Sequence, residues 1–266
     1  MKKKARSYPV APNSVYVWRG FKSASMTYVQ FAQFLGTVFV PACALLQPPV
    51  GLRAYLPSMV PQANKPAAVP DQTALMFWMV PASHDAAQEA IAARIYTNLH
   101  GDVYDMTRSK LPEVPSFIVS VSGALQPEQP YFLLDNPADW MQGAVCHFVG
   151  ARLENIAVND FLSKAATWAQ AFRQTPPKGV DAALLCCGND YAVAWVHAPR
   201  KVPNLQSVFD QLAQLATPVL RDDAQPQPLN AGLWDDWPGL DLSQHACLNI
   251  QFNRIPVAKP RKRGKA

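Results

Sequence analysis

The densest group of polar and ionisable side chains lies between residues 94 and 105. It contains His100, Asp102 and Tyr104, close to the end of a predicted helix. A histidine beside a carboxylate can act as a general acid, a general base or a metal ligand. A structural role is the alternative, because a histidine near the last helix carbonyls, followed by Gly101 as the stop, also forms a C-terminal cap. We predict His100, Asp102 and Tyr104 as the catalytic residues.

Aromatic residues and one arginine on two predicted strands could bind a substrate. Trp18 and Arg19 belong to the first strand, and Trp78 belongs to a later one. Tryptophan rings supply a large contact surface, and an arginine can pair with an anionic ligand. The plainer interpretation of Arg19 is a strand-end side chain that reaches solvent. We predict Trp18, Arg19 and Trp78 as substrate-binding residues.

Two further histidines lie in predicted strands of the second half, His147 in mid-strand and His197 at a strand end. We expect these strands to be adjacent and parallel, with the histidines several residues out of register. A shared metal ion is therefore not expected. Each histidine could ligate haem singly, although a hydrogen-bonded core histidine is the commoner case. His147 and His197 are haem-ligand candidates.

Several motifs of known chemistry are missing from the chain, among them C-x-x-C, H-E-x-x-H, the Walker A loop, G-x-G-x-x-G and G-x-S-x-G. Cys186 and Cys187 are neighbours in a strand, so their side chains point to opposite faces and cannot chelate one ion. No metal site is predicted, and the cofactor is either none or haem. The odd count of five cysteines argues against a disulfide framework and favours a reducing cytoplasm.

Composition indicates a globular chain that is poor in charge. Of the 266 residues, 49% are hydrophobic and 16% are charged. The net charge of +5 is local, because nine basic residues and no acidic ones lie in the two tails, Met1–Arg6 and Lys259–Ala266. Such tails could bind nucleic acid through its phosphates, or they could simply be solvated ends.

The first half has the predicted element order β-α-β-β-α-β. The uncharged stretch Tyr28–Leu46 has an apolar face at helical spacing, so we predict a core helix, kinked or ended by Pro41, and no membrane span. The remaining elements are strands at Ser14–Phe21, Leu52–Pro57, Thr73–Val80 and Ser116–Val121, and a helix from Ser83 to His100.

The second half repeats this order after a connector in which Tyr131–Leu134 could add an edge strand. The predicted helices run from Asn159 or Asp160 to Phe172, and from Leu205 to Ala216 with Pro218 as the stop. The predicted strands are Ala144–Gly150, Val180–Cys187, Tyr191–His197 and Ala246–Phe252, with a Gly-Asn turn between the middle two.

Several strands are apolar on both faces, although a strand with one face in water should alternate with polar residues. We therefore predict an α+β protein of two fused βαββαβ ferredoxin-like units, with the sheets packed face to face and the helices outside. The units are residues 14–122 and 144–256, joined by the connector 123–143. Basic tails, 1–13 and 257–266, flank them.

This arrangement resembles the dimeric α+β barrel superfamily, in the form where two ferredoxin-like units are fused. The resemblance spans about Ser14 to Ile255 and depends on element order and strand apolarity. It implies a small-molecule enzyme, such as a cofactor-free monooxygenase or isomerase acting on an apolar organic substrate. A haem-binding oxidoreductase is one alternative. The other is a non-catalytic interaction protein that uses its basic tails. Self-association into a homo-oligomer is also compatible with the low charge.

Overall fold

The computed structural model describes residues 15–61, 65–110, 115–140, 143–200 and 204–221. Both basic tails and the predicted strand Ala246–Phe252 lie outside the described residues, so binding of nucleic acid by the tails stays a prediction. Within these ranges the chain is an α+β protein with two sheets. None of the helices in these ranges combines the length and the hydropathy needed to cross a bilayer.

The first sheet has three antiparallel strands in the order β1-β3-β2. They are β1 (Val15–Gly20), β2 (Leu52–Met59) and β3 (Gln72–Trp78). A helical stretch precedes β2 and consists of α1 (Tyr28–Phe34), a π-helical turn (Leu35–Phe39) and α2 (Val40–Leu46). Two more helices follow β3, namely α3 (Pro81–Glu89) and α4 (Ile91–Val103).

The second sheet has six strands in the order β4-β5-β7-β8-β6-β9. They are β4 (Ser116–Phe117), β5 (Pro130–Asp135), β6 (Ala144–Arg152), β7 (Ala182–Cys187), β8 (Tyr191–Ala198) and β9 (Ala216–Arg221). Its helices are α5 (Val158–Gln174) and α6 (Gln206–Ala213). Strand β5 lies in the predicted connector and pairs with β7.

The two sheets pack face to face, and helices cover both outer faces. Alternate residues of β1 and β3 meet alternate residues of β6, β7 and β8 in one apolar layer, which includes Val17, Phe77, Val149 and Trp195. The opposite faces pack on α1–α4 in the first half and on α5 and α6 in the second. Burial on both sides explains why these strands carry so few polar residues.

The two halves are not equivalent, which corrects the prediction of a complete tandem repeat. The second half has the element order β6-α5-β7-β8-α6-β9 with β9-β6-β8-β7 adjacent. Its last described strand, β9, was not predicted, and the predicted last strand Ala246–Phe252 lies outside the described residues. In the first half, the predicted strand Ser116–Val121 is reduced to β4, which pairs with β5 of the other sheet. Ile118 is fully buried in the core beneath α5, and this burial draws the segment away from β1. An isolated bridge from Lys110 to Arg19 lies beside β1, and a second bridge joins Tyr104 to Lys22, just after the strand.

Two helix predictions are also wrong, one in its middle and one at its end. The helix expected from Ser83 to His100 is interrupted at Ala90, whose ψ of 136° is extended, so α3 and α4 are separate. The helix expected to end at Pro218 ends at Ala213. Pro218 lies instead in β9, at the edge of the second sheet, where a missing N–H is tolerated.

Candidate functional site

A cavity of about 160 Å³ lies between the outer face of the first sheet and helices α2, α3 and α4. Its lining is mainly aromatic, with a few polar groups. The lining residues are Trp18, Phe39, Cys43, Gln47, Tyr55, Gln72, Ala74, Met76, Trp78, His84, Gln88, Tyr96, His100, Tyr104 and Met106. Met106 is 50% exposed and marks the mouth. An apolar cavity with a few convergent polar groups is the usual form of a small-molecule site.

The floor of the cavity is one face of β3. Gln72, Ala74, Met76 and Trp78 alternate along this strand and all line the cavity, because successive side chains of a strand point to opposite faces. Trp18 of β1 lies directly opposite Ala74 in the antiparallel register. The sheet therefore brings together two tryptophans, Trp18 and Trp78, that are 60 positions apart in the chain.

A hydrogen-bond network fixes the end of the floor at Gln72. The Trp18 indole N–H donates to Gln72 Oε1 at 3.0 Å, and the Tyr104 hydroxyl donates to the same oxygen at 2.6 Å. An indole N–H can only donate, so it fixes the orientation of the amide. The Gln72 oxygen is therefore already bound by two donors of the protein. Burial raises the pKa of Tyr104, so its phenol keeps its proton as a donor.

His100 lies in the last turn of α4, where its ring contacts the aromatic side chains that line the cavity. Its Nδ1 is 3.2 Å from the Tyr96 carbonyl oxygen, which can only accept, so Nδ1 carries the proton of the neutral ring. Nε2 is then the proton acceptor. The ring centroids of Trp18 and Phe39 are 5.3 and 4.6 Å from the imidazole.

Two buried polar atoms at this cavity have no hydrogen-bond partner among the described residues. They are Gln47 Oε1 and Trp78 Nε1, and each residue is only 2% exposed. A third such atom among the described residues, Trp195 Nε1, lies in the layer between the sheets. Leaving a buried donor or acceptor unpaired costs about 1–3 kcal/mol. One acceptor and one donor at the same apolar cavity are what a bound polar molecule would satisfy. Gln47 was missed by sequence reasoning, because the π-helical turn shifts the helix register before it.

A second histidine, His84 of α3, was also missed. Its ring stacks on Tyr16 with centroids 4.1 Å apart and meets Trp78 edge-on. Burial lowers the pKa of His84, and the adjacent Asp85 opposes this shift. The ring is therefore neutral at neutral pH. Its only sequence signal was its place three residues after Pro81 at the start of a helix.

The lowered pKa of His84 predicts loss of stability in acid. The folded protein binds this proton less readily than the unfolded chain, whose histidine pKa is about 6.5. The stability is therefore fully present above about pH 6.5 and falls as the pH drops through the folded pKa. In urea unfolding at several pH values, we expect His84→Phe to lose less stability below about pH 6.5 than the wild type does. Parallel pH profiles for the two proteins would contradict this.

Asp102 does not join the site, unlike His100 and Tyr104. It is exposed and two residues after His100 on α4. A helix turns about 100° per residue, so the two side chains point to nearly opposite sides. The helix continues through Gly101 and is capped at Tyr104, so Gly101 is not the stop that its residue type indicated.

Arg19 faces away from the cavity, because it alternates with Trp18 along β1. It is fully buried between the two sheets and does not reach solvent. Its Nε donates to Glu128 Oε2 at 3.0 Å and to the Tyr191 hydroxyl at 3.1 Å. A second guanidinium nitrogen donates to the Glu128 carbonyl at 3.1 Å. Arg19 is therefore an ionic link between the sheets, whereas Trp18 and Trp78 line the cavity.

His147 and His197 also lie between the sheets. Their strands, β6 and β8, are adjacent but antiparallel, and His197 pairs with Val145, only two residues from His147. The His147 ring nitrogens lie 3.3 Å from Ser58 Oγ and 3.4 Å from Thr73 Oγ1. His197 Nδ1 lies 2.6 Å from an Asp181 carboxylate oxygen.

These surroundings do not fit haem. His147 and His197 are at most 1% exposed and have hydroxyl or carboxylate partners on their ring nitrogens. His100 faces a cavity of about 160 Å³, below the roughly 300–1,000 Å³ of sites for drug-sized ligands. Among the described residues, no group of three or more His, Cys, Asp or Glu could hold a metal ion.

Comparisons with known proteins add little. No family model and no curated protein matches the chain. Two putative monooxygenases are similar in structure. The one from Lactobacillus acidophilus NCFM has 9% identity, a TM-score of 0.31 and coverage of 75% of this chain and 80% of its own. The one from Fusobacterium nucleatum subsp. nucleatum has 8% identity and a TM-score of 0.32, and the match covers 75% of this chain and 79% of its own.

An anthrone oxidase-like protein is similar to the same degree, with 8% identity, a TM-score of 0.32 and coverage of 76% of this chain and 77% of its own. Such values are too low for any of the three likenesses to support an argument about the activity of this chain.

Proposed function

We propose that this chain is a small-molecule enzyme that binds an apolar aromatic compound carrying a hydroxyl group in the cavity over β3. His100 is its proton acceptor, and Tyr104 acts through Gln72 as a positioning residue. The reaction class is cofactor-free oxygenation, with dioxygen as the co-substrate and oxidant, or isomerisation, since both can begin with removal of a proton from such a compound. The fold that we propose for it is a pair of ferredoxin-like units, of which the first has no last strand of its own among the described residues.

The observation that carries this proposal is the pair of unpartnered atoms, Gln47 Oε1 and Trp78 Nε1. Natural cores seldom leave buried polar groups unpaired, and exceptions are concentrated at functional sites. A hydroxyl group can donate to the glutamine oxygen, and it can also accept from the indole N–H. The aromatic walls supply an apolar contact surface. A phenol therefore matches both features of the cavity, its ring meeting the walls and its hydroxyl group meeting the unpartnered polar atoms.

The chemistry assigned to His100 follows from its tautomer. With the proton on Nδ1 held by the Tyr96 carbonyl, Nε2 can take a proton from a bound hydroxyl or from an activated carbon. When the hydroxyl proton moves to Nε2, the hydrogen bond to the glutamine oxygen is given up, and the indole N–H continues to donate to the phenolate oxygen. The resulting imidazolium is stabilised by the end of α4. The negative charge on the ligand would be balanced by this imidazolium in a site of low dielectric constant.

Substitution of Gln47 tests the proposal. We expect Gln47→Met to stabilise the ligand-free protein by about 1–2 kcal/mol, because it replaces a buried amide whose oxygen is unpaired by an apolar chain of similar shape. The same variant should bind phenol more weakly, while binding of toluene is unchanged or improved. Urea unfolding measures the first effect, and titration calorimetry with phenol and toluene measures the second.

Gln170 offers the matched control, because its side-chain nitrogen donates to the Val121 carbonyl at 3.1 Å. Gln170→Met should not stabilise the protein and should leave the preference for phenol over toluene unchanged. The proposal fails if neither compound binds the wild type, or if Gln47→Met lowers stability without changing that preference.

A further inference from the structure

Ala74 is the smallest residue of the cavity lining, and it lies at the centre of the floor. Its neighbours on the same face of β3 are Gln72 and Met76. In the sheet, Trp18 flanks it on one side and Pro57 on the other. Cross-strand neighbours have Cβ atoms about 4.5–5.5 Å apart. A methyl group at this position therefore leaves open the volume beside the Trp18 ring.

This open volume is next to the proposed proton acceptor. The Trp18 ring meets His100 edge-on with centroids 5.3 Å apart and meets Tyr104 at 5.0 Å. A ring seated on Ala74 would thus be bordered by Trp18 and would lie near the imidazole and the Gln72 amide. A longer side chain at position 74 would occupy the space that brings a ligand to His100.

The size of the cavity limits what can be seated there. A dry apolar cavity of about 150 Å³ in another protein holds benzene, and this one measures about 160 Å³. The volume thus accommodates one aromatic ring with small substituents. A second fused ring would have to displace side chains of a wall built from β1, β3 and α4.

The electrostatics of the lining limit the charge of the ligand. The lining contains no Asp, Glu, Lys or Arg, and burial lowers the pKa of its inner histidine, His84, so that this ring is neutral. Bringing an ionised carboxylate into such surroundings costs several kcal/mol unless a partner is provided. His100 becomes a cation only after it takes a proton, so the ligand enters uncharged.

We propose that the ligand is an uncharged single-ring phenol and that Ala74 is the residue that determines its size. This inference rests on the proposed function, since it specifies the ligand class of the same cavity. It adds two features that the unpartnered polar atoms do not determine, namely the number of rings and the charge at entry.

The experiment measures dissociation constants for phenol, 1-naphthol and benzoate with the full chain, by quenching of tryptophan fluorescence. For the wild type we expect phenol to bind at least about tenfold more tightly than 1-naphthol, and benzoate to bind at least as weakly as 1-naphthol. Ala74→Gly should strengthen the binding of 1-naphthol relative to that of phenol by about tenfold, which is the effect of about one methylene group in an apolar pocket. Ala74→Leu should abolish phenol binding.

Ala54 provides the matched control, because it is fully buried in β2 but belongs to the layer between the sheets. Ala54→Gly should leave the ratio of the phenol and 1-naphthol constants unchanged. The inference is overturned if phenol binds but the wild type does not prefer it to 1-naphthol or to benzoate, or if Ala74→Gly leaves the ratio unchanged. Those results leave the proposed function standing, whereas failure of both neutral compounds to bind would overturn the proposed function itself.

Discussion

Replacing Glu128 with alanine is expected to lower the free energy of unfolding by about 3–5 kcal/mol. The change leaves the Arg19 guanidinium, which is fully buried, without its anionic partner. The Tyr191 hydroxyl and two backbone carbonyls remain as acceptors, but they do not carry a countercharge. Urea unfolding followed by tryptophan fluorescence measures the loss.

Two control variants separate this effect from the cost of removing any one member of an ion pair. Arg19→Met should cost less than Glu128→Ala, because the carboxylate left behind has 36% of its side chain exposed and can be hydrated. Asp190→Asn should cost under about 1 kcal/mol, since Asp190 pairs with Arg152 at an exposed position with 49% of its side chain accessible. Equal losses for all three variants would contradict the assignment of Arg19 as a buried link between the sheets.

Replacing His100 with glutamine is expected to lower turnover of a phenol that binds the wild type by about 10²–10⁴-fold, the usual contribution of a general base. Glutamine retains a hydrogen-bonding side chain but cannot take a proton at neutral pH. Binding should change far less than turnover, because the aromatic walls and the Gln72 network remain. Steady-state kinetics that separate kcat from KM measure this difference.

A spectroscopic measurement tests the same role without knowledge of the reaction. 4-Nitrophenol absorbs at longer wavelength as the phenolate, so its spectrum reports the proton transfer directly. In mildly acidic buffer we expect the bound probe to show phenolate absorption in the wild type and not in His100→Gln. Asp102→Asn is the control, because Asp102 is exposed and does not line the cavity. A neutral probe in the wild type would contradict the role of His100.

Local patterns were sufficient for strands β1, β2, β3, β6, β7 and β8 and for their faces. Continuous apolar runs such as Ala182–Cys187 indicated strands buried on both sides, and the structure has β7 at that position. Alternation places Trp18 and Arg19 on opposite faces of β1, so the strand assignment alone rules out that both side chains line one cavity. The α+β class is confirmed on these grounds.

Patterns failed where distant contacts outweighed local preference. The apolar segment Ser116–Val121 has the residue types of a strand, yet burial of Ile118 beneath α5 leaves only β4 in extended pairing. Pro218 looked like a helix stop, although it lies in an edge strand that tolerates its missing N–H. Both outcomes depend on contacts with residues distant in the chain, so the composition of each segment does not predict them.

The sequence by itself determined which residue types are near one another along an element, and hence that His100 and Tyr104 share the end of a helix. Only the tertiary structure decided that Trp18, Gln72 and Trp78 meet them at a cavity, that Gln47 has an unpaired oxygen there, and that Asp102 and Arg19 do not belong. The physical reason is that strand register and helix rotation are set by burial across the whole sheet. That burial depends on partners distant in the chain, which a local pattern does not record.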